Sequence, residues 1–258
     1  MKNKSFELTA NKLVRAFLEN KIINPIPNHF VKNIDKANKF RKLCESKIKN
    51  PIIGFKAGGT AIPVLKKLKE KKPFIASVYE NNLLKNKSSV KINKYTLGIE
   101  LEVCYLINEK IFNSKKKITN KNIKQLITHS APCIEIVGYR QKKSGIKYLG
   151  DLCSDFGASV KFIIGTKKKF KNINVTNLIT TISNNKINHT VHGNTNTVYR
   201  NPINSLKFVL DTIKKEKVNI NKNFYVFTGS TVGVVPIKGK GFYSGNIKKF
   251  GSVKTKII

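Results

Sequence analysis

Two glutamates lie one residue apart inside an apolar run, Glu100 and Glu102 of GIELEVCY (98–105). Carboxylates are scarce in this chain, which has Lys+Arg 50 against Asp+Glu 14. On a β-strand, residues i and i+2 point to the same face, so these two side chains are expected side by side. Buried carboxylates without partners repel each other and are costly to desolvate. A hard divalent cation that prefers oxygen ligands, such as Mg²⁺, Mn²⁺ or Ca²⁺, would remove this conflict.

A third glutamate has similar surroundings. Glu135 lies in APCIEIVGYR (131–140), again between apolar residues of a predicted strand. Three such side chains, completed by water and substrate, would form an octahedral metal site. The alternative is that Glu100 and Glu102 face solvent on the polar side of a half-buried strand and pair with lysines. The spacing alone does not choose between these two interpretations.

The elements around these glutamates predict an α+β protein. A small helical N-terminal region, 1–50, precedes a mixed β-rich core, 51–258, and the two can equally count as one domain. In the N-terminal region, helical spacing predicts helices at 6–22 and 33–48, separated by the prolines of 24–30. For the core we predict a strand running into a Gly-rich turn at 51–63, further strands at 73–80, 133–140, 160–166, 225–237 and 251–258, and helices at 174–184 and 201–217.

This order of elements excludes some folds. Strands and helices do not alternate regularly, as they would in a doubly wound sheet. The glycines of KGKGFYSG (238–245) do not open a helix after a strand, so they are not a dinucleotide-binding motif. No apolar run is long enough for a transmembrane helix. The first residues lack the pattern of a secretory signal and the four cysteines are dispersed, so we expect a cytoplasmic protein.

The formal net charge of +36 raises the question of a nucleic-acid or anionic-membrane partner. We expect neither, because Lys, Asn and Ile are enriched along the whole chain and basic runs such as KKLKEKK (66–72) fall between apolar segments. Arginine is scarce, and no RRM, KH or helix-turn-helix pattern is present. A basic nucleic-acid- or anion-binding protein remains the non-enzyme alternative. The charge would in either case accelerate encounters with anionic small molecules.

Several segments in order resemble one enzyme family. They are NPIPNHF and IDKANKF, IIGFKAGGT, GIELEVCYLI, APCIEIVGYR, DLCSDFGASVKFIIGT, NPINSLKFVL, and FYVFTGSTVGVVPIKGKGFYSG with FGSV. Together they span roughly residues 24–255 and are similar to the 2-keto-4-pentenoate hydratase / 4-oxalocrotonate decarboxylase family of the fumarylacetoacetate hydrolase superfamily. The Glu in an E-I-V-x-x-R context, Glu135 to Arg140, is typical of the hydratase-like members, whereas the hydrolases usually have an Asp there.

The resemblance implies a fumarylacetoacetase-like mixed β-barrel or β-roll core, homo-oligomeric assembly, and Mg²⁺ or Mn²⁺ held by Glu100, Glu102 and Glu135. The family's substrates are small 2-oxo acids, chelated through the carboxylate and the 2-oxo oxygen. The ion acts as a Lewis acid that polarises the 2-oxo group and stabilises an enolate. We therefore expect a metal-dependent lyase, hydratase-like or decarboxylase-like. An acylpyruvate-type C–C hydrolase or oxaloacetate decarboxylase on the same metal core is the second enzyme interpretation.

Further site residues follow from the same resemblance. Lys56, between glycines in IIGFKAGGT, matches the family's active-site lysine, and it either transfers a proton or holds a carboxylate as a cation. Asp155 matches the acidic position of the family's A-D-N segment and is assigned to the catalytic group without ligating the metal. Arg140 either binds substrate carboxylate or pairs with a neighbouring acid. The remaining residues expected to line the substrate pocket are Gly58, Thr60, Thr228 and Ser230.

The chain departs from the family at two places. The hydratases usually carry P-D-[FY]-G after the lysine turn, but Phe74 stands where the Asp would be and Ala76 where the Gly would be. Phe156 replaces the usual Asn after Asp155. Glu80 is the nearest candidate for the missing acid. The His–Glu dyad of the hydrolases is not found either, since His129, His189 and His192 have unsuitable surroundings, which counts against hydrolysis.

Overall fold

The computed structural model describes residues 2–112, 117–218 and 220–258. The α-helices are α1 (Lys2–Leu18), α2 (Asn28–Val31), α3 (Ile34–Glu45), α4 (Ile62–Lys67), α5 (Leu149–Ser154) and α6 (Pro202–Lys215). The strands are β1 (Ile52–Gly58), β2 (Phe74–Tyr79), β3 (Leu83–Lys85), β4 (Ser89–Val90), β5 (Thr96–Ile107), β6 (Ile127–Gly138), β7 (Ser159–Ile164), β8 (Lys168–Lys169), β9 (Ile179–Asn184), β10 (His189–Asn194), β11 (Phe224–Ser230), β12 (Gly241–Ile247) and β13 (Gly251–Ile257).

Three helices precede the first strand, and their ends follow from local sequence. The side chain of Asn33 accepts hydrogen bonds from the backbone N–H groups of Asp35 and Lys36, which fixes the start of α3. These helices pack on the core through aromatic contacts. The Phe17 ring lies 5.4 Å from that of Tyr79 and 4.6 Å from that of Phe156. The division into two regions at residue 50 stays a prediction.

A curled, mixed eight-stranded sheet carries the candidate site. Its strand order is β2-β1-β11-β5-β6-β7-β3, and β8 pairs with β6 at one end. The two longest strands, β5 and β6, run antiparallel at its centre, and Glu100 lies directly opposite Glu135. The α+β class and the fumarylacetoacetase-like core are confirmed by this arrangement and by the structural comparisons given below.

The second sheet packs behind the first. It has five strands in the order β10-β9-β12-β13-β4. Its inward residues, among them Ile182, Ile247 and Val253, share a buried cluster with Ile99 and Leu101 of β5. Because β5 alternates, its aliphatic residues bury against this second sheet, and its glutamates face the opposite side. The period of two therefore places the carboxylates on the inner face of the curled sheet.

Two predicted elements differ from the structure. The helix predicted at 174–184 is wrong, because residues Ile179–Asn184 form β9 between β10 and β12. Thr180, Ile182 and Asn184 are buried in alternation, and β-branched residues at this period favour a strand. The predicted strand 225–237 ends at Ser230. The helix predicted at 201–217 is confirmed as α6, capped by Asn201, whose side chain accepts from the Ile203 N–H.

None of the helices that the structure describes is long and apolar enough to cross a membrane.

Candidate metal centre

Three glutamates converge on the inner face of the curled sheet. One carboxylate oxygen from each of Glu100, Glu102 and Glu135 lies within 4.8 Å of the others. Oxygens at about 2.0–2.6 Å from one ion can be up to about 4–5 Å apart, so the three can share a Mg²⁺, Mn²⁺ or Ca²⁺ ion. Glu102 and Glu135 are fully buried, and Glu100 is half-buried. The alternative of a solvent-facing Glu100–Glu102 pair is therefore wrong for Glu102.

The hydrogen bonds of the buried pair support a cation site. Glu102 Oε2 accepts from the Gly229 N–H at 2.9 Å, and Glu135 Oε1 accepts from Lys56 Nζ at 2.6 Å. The second oxygen of each carboxylate, Glu102 Oε1 and Glu135 Oε2, is buried without a hydrogen-bond partner. Buried polar atoms are normally paired, and leaving them unpaired is costly. Two orphaned carboxylate oxygens beside a third carboxylate are the donor set that a hard divalent cation needs.

Without a bound metal ion, Glu100 and Glu102 hold their protons more tightly than free glutamates. Burial, with the nearby charge of Glu135, raises the pKa of Glu100 to about 7, against a usual value of 4.5. Burial and the charge of Glu135 also raise the pKa of Glu102 well above that value. Lys56 opposes both shifts but does not cancel them. The site is thus partly protonated near neutral pH, and a cation binding there must displace protons.

The metal-free protein should lose stability as the pH rises from about 4.5 to about 7. In that window folded Glu100 keeps a proton that the unfolded chain has released, so the folded state binds more protons and the free energy of unfolding falls with pH. Saturating Mg²⁺ should reverse the trend, because the ion binds deprotonated carboxylates. Urea midpoints at pH 5, 6 and 7, with EDTA and with Mg²⁺, test this. Glu100→Gln should make the EDTA series less steep without flattening it, because the pKa of Glu102 is also raised. A flat wild-type EDTA series would contradict the expectation.

Lys56 is held in place on two sides. Its Nζ donates to Glu135 Oε1 and, at 3.1 Å, to the carbonyl oxygen of Gly157. Burial lowers the pKa of Lys56, but the charges of Glu135, Glu100 and Glu102 raise it by more, so the net shift is upward. In the metal-free protein Lys56 is therefore a cation paired with Glu135, and the choice between its two predicted roles stays a prediction. A divalent cation would compete for that carboxylate and weaken the upward shift.

The contact from Gly157 depends on an unusual turn after α5. Phe156, Gly157 and Ala158 have φ values of +50°, +72° and +55°, three consecutive left-handed conformations. A Cβ on Gly157 would lie 2.9 Å from Lys56 Cδ, so only glycine fits against the lysine. The Phe156 ring packs on Phe17 of α1 in a buried cluster. The difference from the family at Phe156 thus falls on a core contact between the turn after α5 and α1.

The departure at Phe74 falls directly beside the lysine turn. In the β1–β2 pairing, Gly58 lies opposite Phe74 and Lys56 opposite Ala76. A Cβ on Gly58 would lie 2.2 Å from the Phe74 ring, so the ring fills the space beside that glycine. The structure does not support Glu80 as a substitute acid, because it is exposed and follows the far end of β2, roughly 13 Å along the chain from Ala76.

The remaining predicted pocket residues take different positions. The Thr60 side chain covers Gly229, where a Cβ would lie 2.2 Å from Thr60 Oγ1, so Thr60 adjoins the glycine whose N–H binds Glu102. Ser230 pairs with Glu102 across β11 and β5, and its hydroxyl donates to the Gly233 carbonyl. The Thr228 hydroxyl is buried and donates to the Val103 carbonyl at 2.8 Å. The Thr228 hydroxyl proton is therefore used in a hydrogen bond to the backbone of the central strand.

Arg140 and Asp155 form a buried network next to the N-terminal helices. Asp155 accepts hydrogen bonds from the Arg140 N–H at 2.9 Å, Arg140 Nη1 at 3.0 Å and Gln141 Nε2 at 2.9 Å. The guanidinium also lies 4.8 Å from the centre of the Phe17 ring. Arg140 thus pairs with a neighbouring acid, the second of its predicted roles. Asp155 contacts neither the carboxylates nor Lys56 through a hydrogen bond, so its place in the catalytic group stays a prediction.

Asp155→Asn should destabilise the fold by about 3–5 kcal/mol, because it leaves a buried arginine without its counter-charge and places an amide NH₂ against existing donors. Urea unfolding measures the change. Asp211→Asn is the matched control, since Asp211 forms an exposed pair with Lys207 on α6 and should contribute less than about 1 kcal/mol. Equal effects of the two substitutions would contradict the structural role of Asp155.

Two groups at the site were not predicted, the Gly229 N–H and the Gly157 carbonyl. Both are backbone atoms whose direction depends on positive φ, and only the glycine in FTGSTVG gave any signal. The histidines lie elsewhere. His129 Nδ1 contacts Thr128 Oγ1 at 3.3 Å, while His189 and His192 are on β10 of the second sheet. Within the described residues no His–Glu dyad accompanies the carboxylates.

Comparison with known structures places the chain among the fumarylacetoacetate hydrolase-like folds. Similar structures include 4-oxalocrotonate decarboxylase from Pseudomonas putida G7, complexed with magnesium and adipate, at TM-score 0.83 and 17% identity over 100% of this chain and 98% of that one. Fumarylpyruvate hydrolase from Pseudomonas aeruginosa, in complex with Mn²⁺ and pyruvate, matches at TM-score 0.59 and 10% identity over 82% and 92%. No protein-family model matches the chain, and no curated protein matches it significantly.

Proposed function

We propose that this protein is a divalent-metal-dependent lyase acting on a 2-oxo acid, in the 2-keto-4-pentenoate hydratase / 4-oxalocrotonate decarboxylase family. The observation that carries the proposal is the convergence of three glutamates, two with orphaned buried oxygens, beside a buried lysine. The ordered motifs and the shared fold support it. A magnesium complex of the decarboxylase and a Mn²⁺–pyruvate complex of the hydrolase support the choice of Mg²⁺ or Mn²⁺ and of a 2-oxo acid.

Each residue of the site has a distinct task. Glu100, Glu102 and Glu135 would hold the ion, and the Gly229 N–H fixes Glu102 in position. A bound Mg²⁺ or Mn²⁺ would supply Lewis acidity toward the 2-oxo group. Lys56 carries its proton at Nζ, next to the carboxylates, and can deliver it to a substrate carbon. Gly58 and Thr60 line the path of the substrate to the metal site on the side of the lysine turn.

The acid–base inventory favours decarboxylation over hydration. Among the described residues, Lys56 is the titratable side chain that donates a hydrogen bond to a carboxylate of the site. Decarboxylation breaks one C–C bond, releases CO₂ and leaves an electron pair on carbon that takes up a single proton, which Lys56 can supply. Hydration needs a proton on carbon and also a base for the attacking water, and Phe74 stands where the family has its acid. Oxaloacetate decarboxylation on the same core is the second candidate.

The remaining expectations concern the protein in its setting. We propose a homo-oligomer in the cytoplasm that takes a small anionic substrate, and the net charge of +36 would accelerate that encounter. A nucleic-acid-binding role alone would leave the buried carboxylates without a partner. The hydrolase interpretation lacks its histidine dyad among the described residues.

A panel of 2-oxo acids tests the proposal. It should include oxaloacetate, 2-oxo-hexenedioate and 2-hydroxypentadienoate, each assayed with Mg²⁺, Mn²⁺ or EDTA for CO₂ release and for water addition. We expect metal-dependent CO₂ release from at least one member. Turnover that EDTA leaves unchanged, or no turnover together with no Mg²⁺ binding, would overturn the proposal.

A further inference from the structure

The outer face of the second sheet is free of negative charge. None of its five strands, β4, β9, β10, β12 and β13, contains an Asp or a Glu. Asp211 and Glu216 are the only acidic residues after Asp155. This sheet lies behind the one that carries the carboxylates, and its outward residues take no part in the metal centre. The strands of this sheet therefore contain no carboxylate that could compensate nearby lysines.

Four lysines surround a concavity of about 600 Å³ on this face, Lys87, Lys186, Lys254 and Lys256. Side chains of β13 alternate between the two faces of the sheet. Val253, Thr255 and Ile257 face the core, so Lys254 and Lys256 point outward. None of the four lysines forms an ion pair with a described residue. Four uncompensated cations around one concave surface attract a ligand with several negative charges.

An exposed aromatic ring lies among these lysines. Phe242 on β12 pairs across the sheet with Lys256, is 50% exposed, and has its ring centre 5.9 Å from Lys256 Nζ. Half of the Phe242 side chain is therefore open to a ligand on this face. Aromatic rings on basic surfaces are the platforms on which bases of single-stranded nucleic acids stack.

We propose that this concavity binds single-stranded nucleic acid. A base stacks on Phe242, and backbone phosphates lie among Lys87, Lys186, Lys254 and Lys256. Sequence composition did not predict this partner, because the surface is formed by residues from four separate segments of the chain. The proposal is independent of the lyase, since it uses a different sheet and no metal.

Fluorescence anisotropy with a labelled ten-nucleotide oligo-dT tests the proposal on the full chain in the presence of EDTA. Phe242→Leu, which keeps an apolar surface side chain but removes the ring, should weaken binding about 5- to 100-fold. The double variant Lys254→Gln, Lys256→Gln should also lower the slope of log affinity against log salt by about 1.4, since each phosphate contact contributes about 0.7.

The matched control is Lys36→Gln, Lys39→Gln on α3, which removes the same charge from an exposed surface elsewhere. Supporting outcomes are control affinity equal to wild type and weaker binding of an abasic oligomer. An equal loss of affinity in the control would overturn the proposal. It would also be overturned by wild-type affinity of Phe242→Leu, by equal affinity for duplex DNA, or by a protein that binds inorganic phosphate but not the oligomer. Turnover of 2-oxo acids should be unchanged in all of these variants, so this test and that of the lyase fail separately.

Discussion

Glu102→Gln is expected to abolish Mg²⁺ binding and to lower turnover about 10³-fold. Glu102 is the fully buried carboxylate whose Oε1 has no partner, so it gives the ion a charged ligand that no neighbouring side chain replaces. Lewis-acid catalysis contributes several kcal/mol of transition-state stabilisation, and each 1.36 kcal/mol corresponds to a factor of about ten. Glutamine keeps the side-chain shape and an oxygen that can accept from the Gly229 N–H, so the fold should survive.

Isothermal calorimetry with Mg²⁺ and steady-state kinetics measure the two effects separately. Glu80→Gln is the matched control, because Glu80 is exposed at the end of β2 and should leave both quantities unchanged. If Glu102→Gln bound Mg²⁺ as tightly as the wild type, the three glutamates would not be the metal centre.

Lys56→Met is expected to lower turnover by about 10²- to 10⁴-fold while Mg²⁺ affinity is kept or increased. The loss of turnover follows from the removal of the one proton donor beside the carboxylates. The affinity for Mg²⁺ should not fall, because Glu135 Oε1 no longer accepts a hydrogen bond from an ammonium that competes with the ion. Kinetics and calorimetry on the same preparation give both values.

Lys56→Arg separates proton transfer from charge. Arginine keeps a cation against Glu135 but does not release its proton, so this variant should fold well and remain as inactive as Lys56→Met. Parallel loss of Mg²⁺ binding and turnover in Lys56→Met would instead mean that the lysine only organises the carboxylates.

The alternation of GIELEVCY was enough to place Glu100 and Glu102 on one face, because a strand has a period of two whatever surrounds it. The apolar surroundings of Glu135 suggested a third ligand, and the family resemblance implied the shared ion. Its position directly opposite Glu100 depends on the register between strands about 30 residues apart, which the alternation within one strand does not give. The Gly157 carbonyl and the Gly229 N–H could not be predicted, since left-handed backbone at these points depends on packing against Lys56 and Thr60.

The wrong helix has a tertiary origin. Residues 174–184 were predicted as a helix, but neighbouring strands on both sides of Ile179–Asn184 override local helical spacing. Arg140 was predicted either to bind substrate carboxylate or to pair with an acid, and it pairs with Asp155. The Thr228 hydroxyl donates to the Val103 carbonyl, and its place in the pocket stays a prediction. Sequence identifies which polar residues are buried more readily than which partner each one meets.

Anomalous diffraction from crystals grown with Mn²⁺ tests the central claim most directly. We predict one strong manganese peak on the inner face of the curled sheet, about 2.0–2.6 Å from carboxylate oxygens of Glu100, Glu102 and Glu135. Glu102 Oε1 and Glu135 Oε2, the oxygens without partners, should be among the ligands. A manganese ion bound elsewhere, or no peak between the three carboxylates at a Mn²⁺ concentration that supports turnover, would contradict it.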